Sequence, residues 1–102
     1  MVGKEIALGP GKIDLLEAIL KTGSISAAAR ETGLSYRRAW SMVYTMNSCF
    51  KNPLVESSKG GKGGGGAWVT QTGKRVAALY RSMESQAKKS TREEWKNLKN
   101  FL

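Results

Sequence analysis

Ser35, Tyr36, Arg37 and Arg38 stand in a row, and Trp40, Ser41 and Tyr44 follow at spacings that return to one helical face. Further on, KGGKGGGG spans residues 59–66, with Lys59 and Lys62 set among glycines. Arginine pairs bidentately with a guanine edge or with a phosphate. Glycine lets backbone amides approach an anion closely and face it as a nest, and lysine adds charge. Both stretches therefore suit contact with a polyanion.

Catalytic chemistry has little to work with. The chain has no histidine, which excludes His-based metal sites and Ser-His-Asp or Cys-His catalysis. Its acidic residues form no paired carboxylates, so neither an enzyme, a metal site nor a cofactor is expected. The glycine stretch also fails as a nucleotide-phosphate loop. For Gly61–Lys62 the required upstream glycine is Glu56, and Gly63 stands where Ser or Thr is needed. Gly61, Gly63 and Gly66 match the dinucleotide spacing, but AWVT follows where that fingerprint needs a helix.

Charge gives the same direction. The 102 residues carry a net charge of +9, from 17 Lys plus Arg against 8 Asp plus Glu. Residues 1–34 hold four basic and four acidic groups. Residues 35–75 hold seven basic groups and only Glu56, so the surplus is concentrated in the middle of the chain. Such a surplus selects nucleic acid or an anionic membrane surface as partner. Cys49 is the sole cysteine, which fits a reducing compartment. No apolar run approaches the ~20 residues of a membrane span, and the N-terminus has no signal-peptide core. A cytoplasmic protein of a bacterium or archaeon, associated with the nucleoid, is expected.

The length suits one domain. GPGKIDLLEAILKTG reads as a first helix, opened by Pro10 and stopped by Gly23, with Ile13, Leu16, Ile19 and Leu20 as its stripe and Leu15 widening it. In SISAAARETG, Ser24 or Ser26 caps a short second helix, and Ala27, Ala28 and Ala29 let a neighbour approach closely. Ser24 and Ser26 are also placed for DNA-backbone contact. A third helix begins at Ser35 and buries Ala39, Val43, Met46 and Phe50. LVESS and AWVT form a hairpin around the glycine stretch. A slack linker is the competing reading of that stretch; as a hairpin tip it is expected to be mobile until it meets phosphate. A fourth helix follows from Gln71, with Val76, Leu79, Tyr80 and Met83 as its apolar face and Gly73 weakening its start. STREEWKNLKNFL ends the chain with a capping box of Thr91 and Glu94 and an apolar row of Trp95, Leu98 and Phe101.

The expected architecture is mainly α with a small β-hairpin: a winged helix-turn-helix with a three-helix core, a wing, a fourth helix and a short C-terminal helix. Residues 1–90 form the DNA-binding domain, and residues 91–102 form an amphipathic helix that packs as a lid or as a dimer contact. Ser35, Tyr36, Arg37, Arg38, Trp40, Ser41 and Tyr44 are the expected readers of the major groove. Trp40 could equally pack under the wing. Lys59, Gly60, Gly61, Lys62 and Gly63 are the expected phosphate contacts. Leu79, Met83, Trp95, Leu98 and Phe101 are the candidates for a dimer contact. An ordinary solvated face is the competing reading of the two arginines. Nonspecific DNA coating and a winged helix used for protein contact are the alternatives for function.

The run from GSISAAAR through SYRRAW and PLVESS to GGKGGGGA resembles the DNA-binding domain of the molybdate-responsive transcriptional regulators of the ModE type, and more distantly that of LysR-type regulators. The resemblance covers roughly Leu8 to Met83. It implies a dimer on a palindromic operator, recognition by the helix that begins at Ser35, phosphate contact by the wing, and a following molybdate-sensing domain. About a dozen residues after the fourth helix are too few for such a sensor. Either a separate effector-sensing protein supplies the signal, or the protein binds DNA constitutively.

Overall fold

A computed structural model describes residues 9–58 and 66–102. In chain order the elements are α1 (Pro10–Thr22), α2 (Ile25–Thr32), α3 (Tyr36–Cys49), β1 (Val55–Ser57), β2 (Ala67–Val69), α4 (Gln71–Ser90) and α5 (Arg92–Lys99). The two strands pair antiparallel, with Val55 opposite Val69, Glu56 opposite Trp68 and Ser57 opposite Ala67. This is a winged helix-turn-helix, as the sequence pattern predicts.

Local chemistry sets the helix boundaries. Gly23 and Gly33 end α1 and α2 with φ of 73° and 74°, a left-handed conformation that side chains with a Cβ disfavour. Ser24 caps α2 by accepting from the Ala27 amide at 3.1 Å. Ser26 is not the cap; it lies one position inside the helix, where its hydroxyl instead accepts from Arg30 Nη1 at 3.2 Å. Ser35 caps α3 by accepting from the Arg38 amide at 3.1 Å, so the helix proper begins at Tyr36.

The core lies between α1, α2, α3 and the base of the wing. Ile13, Leu15, Leu16 and Ile19 of α1 are fully buried, against Ala28 and Ala29 of α2, Ala39, Val43 and Met46 of α3, and Leu54, Val55 and Val69 of the wing. Burying each large aliphatic side chain contributes about 1.5–3 kcal/mol. Leu15 rather than Leu20 completes the α1 stripe, and Leu20 faces solvent. Phe50 is only partly buried, at the end of α3.

The wing is tied down at three points. The Ala67 amide donates to Gly23 O at 3.0 Å, which joins β2 to the end of α1. The Thr70 hydroxyl donates to Pro53 O at 2.7 Å and accepts from the Gly73 amide at 2.9 Å, so one side chain both caps α4 and holds the entry to β1. At the open end, the Ser58 amide donates to Gly66 O at 3.0 Å and the Gly66 amide donates to Ser58 Oγ at 3.1 Å.

Gly73 has a role opposite to the one read from its helix propensity. A Cβ at this position would run into the Leu54 carbonyl oxygen and approach Val69 Cγ1 to 2.6 Å. Its lack of a side chain lets α4 lie directly on the wing. The apolar face of α4 is divided between core and solvent. Gly73 and Ala77 are buried, and Val76 and Tyr80 pack partly against the core, whereas Leu79 and Met83 point outward.

None of the residues of α5 is buried among the described residues. The expected capping box is absent. The Thr91 hydroxyl instead donates backward to Ala87 O at 2.9 Å, and no side chain caps α5. Thr91 has φ of −105° and ψ of 6°, which leaves α5 as a near-continuation of α4.

Candidate nucleic-acid interface

The outer face of α3 is built by its inner one. Ala39, Val43 and Met46 anchor the helix in the core, which turns Tyr36, Arg37, Arg38, Trp40, Ser41 and Tyr44 to solvent. All seven residues expected at this face, Ser35 included, are exposed. Tyr36 and Trp40 meet edge to face, with ring centroids 6.2 Å apart and planes at 79°. Trp40 therefore packs against its own helix neighbour on the outer face. Tyr44 extends the aromatic row one turn further and is 75% exposed.

Arg37 and Arg38 carry uncompensated charge. Among the described residues neither forms an ion pair. This contrasts with Arg81 on α4, whose guanidinium meets Glu17 at 2.7 Å, Asp14 at 2.8 Å and Glu84 at 3.0 Å. The hydrogen bonds from Arg81 hold the Glu17 carboxyl below the usual carboxylate value, and the same bonds raise the Arg81 pKa further. Arg81 is a structural clamp between α1 and α4; Arg37 and Arg38 have no such duty.

Asn47 fixes how α3 meets the wing. Its Oδ1 accepts from the Leu54 amide at 2.8 Å and the Val55 amide at 3.1 Å, and its Nδ2 donates to Val55 O at 2.9 Å. Sequence reading missed this residue. The available signal was a polar residue one helical turn after buried Val43, on the side of α3 that faces the core.

Of the remaining expected contacts, Ser24 is partly occupied as the α2 cap, while Ser26 is exposed at the first turn of that helix. Lys59, Gly60, Gly61, Lys62 and Gly63, and the mobility expected of that tip, lie outside the described residues. Trp68, unremarked in the sequence, is half exposed on the outer face of β2 opposite Glu56. Among the described residues no group of three or more His, Cys, Asp or Glu could hold a metal, and no helix is long and apolar enough to cross a membrane.

A short braced helix, a glycine turn and a second helix with an open cationic and aromatic face define a protein of the winged helix-turn-helix class. No family model matches the chain. Curated proteins do. It is 49% identical over 78 residues to the molybdenum-pterin-binding protein MopB of Rhodobacter capsulatus, covering 76% of this chain and 29% of that protein. It is 46% identical over 78 residues to the molybdenum transport protein ModE of Azotobacter vinelandii, covering 76% of this chain and 29% of the relative. It is 46% identical over 71 residues to the DNA-binding transcriptional dual regulator ModE of Escherichia coli K12, covering 70% and 27%. The domain is of the ModE type, as its motifs suggest. The chain spans less than a third of the length of these relatives.

Proposed function

We propose that this chain is a sequence-specific duplex-DNA-binding transcriptional regulator and not an enzyme. α3 enters the major groove, which is wide enough for a helix, and α2 braces across the phosphate backbone. The carrying observation is the outer face of α3: two unpaired arginines and an aromatic row, rigidly aimed by the Ser35 cap and the Asn47 clamp. The names of the ModE relatives support the same reading. The Gly/Lys-rich segment between β1 and β2 then contacts phosphate, through Lys59 and Lys62.

The protein acts as a two-fold dimer on a palindromic site, with its recognition helices ~34 Å apart, one turn of DNA. Exposed Leu20 on α1, Leu79 and Met83 on α4, and Leu98 and Phe101 at the C-terminal end supply apolar surface for that contact. A cytoplasmic location goes with this role, as does regulation by an effector sensed elsewhere.

Selection of bound duplexes from a random library tests the proposal. An enriched palindrome with half-sites one turn apart is the expected result. Binding without enrichment points to nonspecific coating, and no retained duplex points to a protein-contact module.

A further inference from the structure

The end of α4 and the whole of α5 treat positive charge differently from the Arg81 clamp. Arg81 is neutralised by three carboxylates. Beyond it, Lys88, Lys89, Arg92, Lys96 and Lys99 are all exposed, and among the described residues none forms an ion pair. Lys88, Arg92 and Lys96 follow one another at four-residue steps. Like charges at that spacing destabilise a helix. The fold gains nothing in return, because α5 buries no residue.

Three of these cations lie near one aromatic ring. Lys88, Thr91, Arg92 and Trp95 line a surface pocket of about 450 Å³. Lys99 Nζ lies 5.8 Å from the centroid of the Trp95 ring. The ring is half exposed, and a cation already reaches it. A duplex conceals the faces of its bases and offers only their edges in the grooves, whereas an unpaired base offers a π-face that stacks on tryptophan whatever its identity.

We propose that the α4–α5 junction is a second nucleic-acid site, taking an unpaired strand. Phosphates sit on Lys88, Arg92 and Lys99, and a base stacks on Trp95. The site is separate from the α3 face and does not depend on duplex reading there. Leu98 and Phe101 project from a neighbouring side of the same helix, which leaves them free for the dimer contact.

Fluorescence anisotropy of the full chain with a labelled mixed-sequence 12-nucleotide DNA strand tests this. Lys88→Gln with Arg92→Gln should weaken binding about tenfold at low salt and lower the slope of log K against log salt by about 1.4, at ~0.7 per single-strand phosphate contact. Trp95→Leu should weaken binding about tenfold, and Trp95→Phe should restore most of it. Because α5 buries no side chain, thermal melts of these variants should match the parent. Unchanged strand binding in the Lys88/Arg92 variant overturns the proposal. So does strand binding lost only in an Arg37→Ala, Arg38→Ala control, which would assign the strand to α3. Phosphatidylcholine vesicles with one part in four phosphatidylglycerol provide the last arm. Vesicle binding that depends on Lys88, Arg92 and Trp95, without strand binding, overturns it in favour of a lipid surface.

Discussion

Asn47 and Val55 bind each other in both directions: Asn47 Nδ2 donates to Val55 O at 2.9 Å, and the Val55 amide donates to Asn47 Oδ1 at 3.1 Å. A side chain late in α3 thus acts as a strand partner for the first residue of the wing. The Leu54 amide joins the same oxygen at 2.8 Å. Asn47→Ala leaves these partly buried backbone groups without partners, at about 1–3 kcal/mol. Chemical denaturation should show that loss. Asn47→Asp keeps the acceptor but sets a carboxylate against Val55 O, and should fall between the two.

Gly73→Ala tests the contact of α4 with the wing. Helix propensity alone says the change is favourable by about 0.8–1 kcal/mol. The Leu54 carbonyl and the Val69 side chain occupy the space a Cβ would need. Overpacking against backbone costs typically 1–3 kcal/mol, so the variant should melt below the parent. A raised melting temperature would show that α4 is free to shift.

These two positions mark where the sequence stops being legible. Helix boundaries were readable because their causes are local: Ser24 and Ser35 cap, and Gly23 and Gly33 stop. The exposed α3 face was readable because the Ala39, Val43, Met46 stripe fixes its opposite side. Asn47, Thr70 and Gly73 act on partners brought near by the tertiary fold, as in the Thr70 hydroxyl bond to Pro53 O, and periodicity does not register such partners. Nor do four apolar residues at helical spacing reveal that the close contact of α4 runs through Gly73 and Ala77, which are small. The Thr91–Glu94 box fits a motif, but Thr91 follows a helix that has not ended, and its hydroxyl bonds back to Ala87 O.

DNA binding should separate the arginines from the lysines. Arg37→Ala or Arg38→Ala should cost about 1–3 kcal/mol where the side chain pairs with a base, and relax sequence preference. Lys59→Ala or Lys62→Ala should weaken all duplexes about equally and lower the salt slope by roughly one. Titrations of selected and scrambled duplexes over a salt series distinguish the two patterns. Operator binding that survives joint replacement of Arg37 and Arg38 would remove α3 as the reader.

The Arg81 clamp gives an acid limb to stability. Hydrogen bonding to Arg81 lowers the Glu17 pKa in the folded state from 4.5. Its contribution is therefore fully present above 4.5 and is lost as pH falls through the lower folded value. Both partners are more than a third exposed, so solvent screening keeps the contribution small. Glu17→Gln should lower the melting temperature at neutral pH and shrink the parent's drop as pH falls below 4.5. An unchanged acid limb would place the relevant carboxylate elsewhere.

The last relationship is between Met83 and Phe101, both exposed on the helical arm formed by α4 and α5. With Leu79 and Leu98 they are apolar side chains that nothing in the described chain covers. Exposed apolar area of this kind marks an interaction face, and the proposed two-fold binding of an operator would require a second copy as its partner. Met83→Glu and Phe101→Glu each set a charge into an apolar contact, where burying it unpaired is costly. Sedimentation should then show a dimer for the parent and a monomer for either variant, without a change in melting behaviour beyond the dimer's own contribution. Half-site binding should persist in the variants, and affinity for the full palindrome should fall toward that of a single half-site. A parent that sediments as a monomer at high concentration, with and without DNA, would refute the dimer.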